Sequence, residues 1–329
     1  MKISVIVPVR NEEKSIAALL NALLSQSLPP TEIAITDGGS TDATTSIIQS
    51  YIDKGAPIRL IRTTKALPGR GRNLAVEHST SEWLAFTDAG IEPQPTWLAS
   101  LADKAADDAV DVVFGSYEPK TNTFFKECAA IAYITPPTEV EGRLMRQRFI
   151  ASTLMRRSVW EAVGGFPEHL RSAEDLLFMN RIEALNFRTR YAPLAVVRWD
   201  LQPNFVKTFK RFVIYSRNNI RAGLWKDWQA AVFSRYLVLV VLLLPALFLG
   251  WWWVFIPLAM WLLMLTARAV VSLRRNQLSY PAGPLRNFFR LLTLLPIITV
   301  IDVGAISGTI HWFLRDNLWP RSESVKVSS

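Results

Sequence analysis

Four short segments of this 329-residue chain carry side chains able to do chemistry. The first is Asp37-Gly38-Gly39-Ser40-Thr41-Asp42, which follows the apolar run Ile33-Ala34-Ile35. A carboxylate there stands at the carboxyl end of a strand, where open α/β sheets bind their ligands. Gly38 permits close backbone approach, and Ser40-Thr41-Asp42 opens a helix, so Asp42 reads as a cap. The second segment, Leu67-Pro68-Gly69-Arg70-Gly71-Arg72-Asn73, puts two arginines at a helix start, whose backbone N–H groups attract phosphate. Arg70 or Arg72 would add charge-assisted bonds; a solvated basic turn is the other reading. The third, Thr87-Asp88-Ala89-Gly90, ends the apolar strand Trp83-Leu84-Ala85-Phe86. The fourth, Ser172-Ala173-Glu174-Asp175-Leu176, is an acidic pair. It serves either as a proton acceptor or as a helix N-terminus favoured by the macrodipole.

These segments need a scaffold of strand–helix units. Short apolar strands are expected at Ile3–Val9, 32–36, 58–61, 83–87 and 110–114, with helices over 12–25, 42–53, 71–77 and 96–106. That alternation predicts a mostly parallel sheet. Further on, the pattern predicts a helix over Phe124–Tyr133, a Pro136-Pro137 break, the turn Gly164-Gly165-Phe166-Pro167, a helix over 173–185 and a strand over 189–199.

In this order the motifs resemble family 2 glycosyltransferases over about residues 1 to 200. The resemblance implies an α/β catalytic domain of the GT-A fold over 1–203. It also implies a nucleotide-sugar donor and Mg²⁺ or Mn²⁺. Pro8, Arg10 and Glu12 would line the nucleotide pocket with Gly38, and Asp37 would hydrogen-bond the base, most often uracil in this family. Arg70 and Arg72 would face the diphosphate. Asp88 matches the first aspartate of the family's metal motif, but Gly90 replaces the last. A hard cation would then rest on Asp88, diphosphate and Glu92. Asp175 would be the base of an inverting transfer, supported by Glu174. Ala195-Val196-Val197-Arg198-Trp199 lacks the glutamine of the processive synthases, which argues for transfer of a single sugar. A sugar nucleotidyltransferase, or a non-catalytic nucleotide-sugar-binding membrane protein, shares the same fold.

The C-terminal part is of another kind. Residues 204–225 set Phe205, Phe209, Phe212 and Val213 at helical spacing among Lys207, Lys210, Arg211, Arg217 and Arg221. This predicts a basic amphipathic interfacial helix over 204–233; a solvated helix packed on the domain is the other reading. Its arginines would face a lipid diphosphate or anionic headgroups. Residues 236–267 contain no charge. One helix of that length would reach about 48 Å against a hydrocarbon core of about 30 Å. With Pro245, Gly250 and Pro257 inside, a hairpin over 234–271 turning at Gly250-Trp251-Trp252-Trp253 is expected; one tilted or kinked span is the other reading. A third apolar segment, 290–314, carries Asp302, expected to face protein or water; the segment would be re-entrant or interfacial. A polar tail over 315–329 holds Arg315, Arg321 and Lys326.

The basic residues Arg268, Arg274, Arg275, Arg286 and Arg290 would keep their loop, and the catalytic domain, on the cytosolic side of the cytoplasmic membrane. The net charge of +9 fits an anionic lipid surface or phosphorylated substrates. No nucleic-acid motif is recognisable. The single cysteine, Cys128, excludes an intrachain disulfide. His78, His169 and His311 lack metal-ligand spacing.

Overall fold

The computed structural model describes residues 1–107, 109–146 and 148–318. The strands are β1 (Ile3–Val9), β2 (Glu32–Asp37), β3 (Ile58–Arg62), β4 (Trp83–Phe86), β5 (Ile91–Pro93), β6 (Val112–Lys120), β7 (Thr138–Val140), β8 (Arg143–Met145), β9 (Thr153–Arg156) and β10 (Thr189–Asp200). The helices are α1 (Ile16–Leu24), α2 (Thr44–Ile52), α3 (Pro68–Glu77), α4 (Trp97–Lys104), α5 (Phe124–Tyr133), α6 (Arg157–Val163), α7 (Glu174–Ala184), α8 (Phe205–Arg221), α9 (Gln229–Val241), α10 (Ala246–Leu249), α11 (Phe255–Arg275) and α12 (Pro284–Trp312).

The chain forms two compact units. One comprises Met1–Lys120 with Thr135–Asp200; the other comprises Thr121–Ile134 with the chain from Leu201 onward. Helix α5, which the sequence reading placed inside the N-terminal domain, thus groups with the C-terminal helices.

In the N-terminal unit an eight-stranded sheet runs β3-β2-β1-β4-β9-β6-β10-β5. Strands β1, β2, β3 and β4 are parallel neighbours, as are β6 and β10. Strand β1 is apolar on both faces and almost entirely buried, as a central parallel strand must be. Two short strands of this sheet escape the sequence reading, as do β7 and β8, which pair with each other. Strand β9 inserts antiparallel between β4 and β6, and β5 pairs antiparallel with β10 at the edge. With four and three residues, neither is long enough to show a period. Beneath the sheet, Phe86, Phe114, Phe166 and Phe178 share one core with Ile6 and Leu84.

In the C-terminal unit three helices are long and apolar enough to cross a membrane: Gln229–Leu249 (21 residues), Trp251–Arg275 (25 residues) and Pro284–Leu318 (35 residues). The first two run antiparallel. The Trp253 indole N–H donates to the Leu242 carbonyl at 2.8 Å, and Trp261 Nε1 lies 3.5 Å from the Tyr236 hydroxyl. Gly250, at φ +95°, separates them. The third apolar segment is one continuous helix through Pro296. With its C-terminal extension it is about 52 Å long, longer than a hydrocarbon core of about 30 Å. Of the polar tail, 319–329, with Arg321 and Lys326, lie outside the described residues.

Helix α8 differs from the expected interfacial helix. Its buried residues Thr208, Phe212 and Ser216 face α12. A Cβ on Gly304 would lie 2.9 Å from Phe212 Cβ, and one on Gly308 only 2.5 Å from the Val213 carbonyl. The Gly304–Gly308 spacing thus lets two helix backbones approach closely. Arg217 and Arg221, expected to face lipid phosphate, both grip the Asp316 carboxylate, with bonds from 2.5 to 3.0 Å. Asp302 is fully buried, as expected of a charge in an apolar segment. It accepts hydrogen bonds from Arg268 and, at 3.2 Å, from the Tyr236 hydroxyl.

A Gly308→Leu substitution should force α8 from its groove and cost about 1–3 kcal/mol. Thermal unfolding in detergent would report this as a lowered midpoint, and a midpoint equal to the parent's would show that α8 does not depend on the contact.

Candidate active site

The carboxyl ends of β1, β2 and β4 stand side by side, with Val9 level with Asp37 and Ile6 level with Phe86. From them emerge Pro8, Arg10, Glu12, Asp37, Gly38 and Asp88. The Asp37 carboxylate is buried and accepts the Ser40 amide at 3.1 and 3.2 Å, which shapes the turn before α2. Asp42 is a cap as expected. It accepts the Thr44 amide at 3.1 Å, the Thr44 hydroxyl at 2.5 Å and the Glu13 amide at 3.2 Å. These bonds hold its carboxyl below its ordinary value, the Thr44 hydroxyl most of all. Arg10 is exposed, and Glu12 accepts from the Ser15 hydroxyl at 2.5 Å.

Helix α3 starts with Pro68 in its first turn, where a missing N–H costs nothing. Gly69 packs so tightly there that a Cβ would lie 2.1 Å from the Pro167 carbonyl. The same helix carries Arg70 outward, to an exposed pair with Glu168 at 2.9 Å. It turns Arg72 inward. Arg72 Nη2 donates to Asp88 Oδ1 at 2.7 Å and Nη1 to Glu174 Oε1 at 2.8 Å. The sequence reading had Arg72 reaching for phosphate; its two terminal nitrogens instead join two carboxylates, and its side chain is 4% exposed. Asn73, which the sequence reading passed over, ties the same helix to the Gly164–Pro167 turn. It accepts the Phe166 amide at 2.8 Å and the Trp160 indole at 3.1 Å, and it donates to the Phe166 carbonyl at 2.9 Å. Phe166 then stacks on Phe178 of α7 at 3.9 Å.

Helix α7 begins at Glu174 after Ala173, whose φ of +70° is left-handed. Such a conformation in a non-glycine residue is held by its surroundings and is typical of functional sites. Glu174 is buried; Asp175, beside it, is partly exposed. Burial pushes the Asp175 carboxyl up to about 6, and the Glu174 charge adds to the rise against the pull of Arg72. Burial works against the Arg72 charge, but Asp88, Glu174 and Asp175 together hold the guanidinium above its ordinary value. Arg72 Nε, Glu174 Oε2, Ser172 Oγ, Thr36 Oγ1 and Thr87 Oγ1 are buried without a partner. Unsatisfied buried polar atoms are rare, and each needs a partner such as water, an ion or a ligand.

A divalent cation finds few protein ligands here. Among the described residues no group of three His, Cys, Asp or Glu is placed to hold a metal. Asp88 is partly exposed, its side chain 30% accessible. Glu92, expected as a further ligand, is on β5 and pairs with Lys120 at 2.5 Å instead. Gly90 has φ +80° and open space where a Cβ would point. This donor set fits a cation held through one carboxylate and brought in on the donor's phosphates, as Mg²⁺ is often bound.

Residues 4–158 match the family model described as glycosyl transferase family 2. Over this stretch the chain is similar to family 2 glycosyltransferases. Across known proteins, the chain is 31% identical over 216 residues to poly(ribitol-phosphate) beta-N-acetylglucosaminyltransferase TarS of Staphylococcus aureus, covering 58% of this chain and 35% of the relative. It is 30% identical over 199 residues to glycosyltransferase AglE of Haloferax volcanii, covering 58% of this chain and 64% of the relative. The chain thus spans between about a third and two thirds of the length of these relatives. The crystal structure of S. aureus TarS superposes with a TM-score of 0.50 at 26% identity, covering 66% of this chain and 39% of that one. Mannosyltransferase PcManGT from Pyrobaculum calidifontis, in complex with GDP-Man and Mn²⁺, shares the fold with a TM-score of 0.56 at 21% identity. It covers 96% of this chain and 88% of its own. The GT-A fold of the domain follows from these matches together with the mostly parallel sheet.

Replacing Arg72 with Met should strand the buried Glu174 charge and destabilise the domain by about 3–5 kcal/mol. Denaturant unfolding would detect this as a lower midpoint; an unchanged midpoint would mean that the Arg72 bridge carries no net stability.

Proposed function

We propose that this chain is an inverting glycosyltransferase that moves a single sugar from a uridine diphosphate sugar to a membrane-associated acceptor. The acceptor would be a lipid or lipid-linked saccharide of the cell envelope. The observation that carries the reading is Asp175, a partly exposed carboxyl with a raised pKa, seated beside the Arg72 bridge in a family 2 domain. A general base works best with a pKa near the operating pH. Asp175 takes the proton of the acceptor hydroxyl while that oxygen forms a bond to the anomeric carbon. The bond from that carbon to the donor's diphosphate breaks with inversion, and the diphosphate leaves with the electron pair. Glu174, neutralised by Arg72, fixes the start of α7 and hence the position of Asp175.

Pro8, Arg10, Glu12 and Gly38 border the nucleotide in this reading, and Asp37 offers a carboxylate to a base N–H. Arg70, exposed on the rim, reaches the diphosphate. Asp88 would hold Mg²⁺ or Mn²⁺, which would supply charge neutralisation for the leaving diphosphate. TarS, by its name, acts on poly(ribitol-phosphate), an acceptor rich in phosphate, and AglE is a glycosyltransferase; both support a glycan-directed role. Three apolar helices support insertion in the cytoplasmic membrane. The basic residues between the second and third of them support a cytosolic catalytic domain. Tethering to the membrane raises the effective concentration of a membrane-borne acceptor.

Detergent-solubilised protein with membrane lipid extract should release nucleoside diphosphate from one nucleotide sugar in a panel. Release should stop with chelator and return with Mn²⁺ or Mg²⁺; release that ignores chelator would remove the cation from the reading. The rate should fall about tenfold per pH unit below pH 6 as Asp175 takes up its proton. Asp175→Asn should lose about 10²–10⁴-fold in rate along with that acid limb. An Asp175→Asn enzyme with the parent's pH profile would assign the base to another residue.

A further inference from the structure

Two arginines of the apolar helices converge on a single buried carboxylate. Helices α9 and α11 run antiparallel, so Arg235, early in α9, and Arg268, near the end of α11, both lie about 9–10 Å in from the same end of the pair. Both approach Asp302 of α12. The Asp302 carboxylate is satisfied without Arg235. Arg268 donates to it from both terminal nitrogens, one at 3.0 Å, and the Tyr236 hydroxyl donates at 3.2 Å. Arg235 Nη2 stays 4.0 Å from Asp302 Oδ1, and the buried Arg235 Nε has no partner. Among the described residues Asp302 is the sole carboxylate within ion-pair distance of Arg235. Two guanidiniums therefore share one carboxylate, leaving a local charge of about +1 at neutral pH.

That excess cation borders exposed hydrocarbon. The Arg235 side chain is 32% exposed, next to the exposed Leu237 and Val238. An arginine at such a depth extends toward the membrane boundary. The anion concentrated at that boundary is lipid phosphate, and a guanidinium fork matches its oxygens in pairs. We infer that Arg235, with Arg268 beside it, forms a binding site for the phosphate group of a membrane lipid. The inference rests on membrane insertion of these helices and not on sugar transfer.

Native mass spectrometry of the full-length protein, stripped of lipid and titrated with phosphatidylglycerol, a polyprenyl phosphate or phosphate-free diacylglycerol, tests this. The parent protein should hold the phosphate lipids and not diacylglycerol. Arg235→Gln should bind them at least fivefold more weakly, and Arg274→Gln, at the same basic end, should bind as the parent does. Binding of both phosphate lipids supports a headgroup anchor, and binding of the polyprenyl phosphate alone supports a site for a lipid-linked acceptor; either upholds phosphate recognition. Undiminished binding by Arg235→Gln, equal weakening by Arg274→Gln, or diacylglycerol binding like that of the phosphate lipids would overturn it. Since Arg268 still neutralises Asp302, Arg235→Gln should unfold at the parent's temperature in detergent. If it does not, Arg235→Lys, which keeps the charge but not the fork, should still bind about threefold more weakly, and parent-like binding by it would also overturn the inference.

Discussion

One guanidinium organises the catalytic end of the N-terminal unit. Arg72 joins Asp88 to Glu174, residues 16 and 102 positions away in the chain. A buried ion pair of this kind contributes little net stability compared with an apolar substitute, because desolvation consumes most of the attraction. Its effect is geometric. It fixes the ends of a strand, a helix start and a second helix start at bonding distance. The surrounding packing serves that arrangement: Asn73 locks the Gly164–Pro167 turn, Phe166 stacks on α7, and a glycine lets α3 touch that turn. Asp175 inherits its position from this frame, while burial raises its pKa against the pull of Arg72.

The C-terminal unit solves a related problem in an apolar setting. Every carboxylate on its long apolar helices meets two arginines: Asp302 meets Arg268 and Arg235, and Asp316 meets Arg217 and Arg221. Glu127 of α5 is held in the same way by Arg286 and Arg290 of α12. Isolated charges would be expensive among apolar helices; paired ones specify which helices meet.

Much of the scaffold was legible because its signals are local. Ile3–Val9 and Phe124–Tyr133 were read with their observed limits, since an unbroken apolar run and a helical period need no distant partner. The acidic pair at Glu174 was legible only through the order of motifs. What was illegible depended on distant partners. Strand β9 takes its place from β4 and β6, not from its four residues. Arg72 looks like any phosphate-binding arginine until Asp88 and Glu174 are brought beside it. Asn73 has nothing in its neighbourhood to announce a bond to a residue 93 positions on. Helix α8 shows an amphipathic period either way; only Gly304 and Gly308, nearly a hundred residues later, decide that its stripe faces a helix.

Helix α5 bears on where this protein can be cut. It is encoded between β6 and β7 of the N-terminal unit, yet its residues Cys128 and Ile131 are buried with Leu265, Leu294 and Ile297. Its Glu127 is answered by arginines of α12. A fragment ending at Asp200 would therefore keep ten residues of helix whose apolar and basic partners on the C-terminal helices had been discarded. No linear boundary separates the two units of this chain: one piece of the C-terminal unit is written inside the N-terminal one.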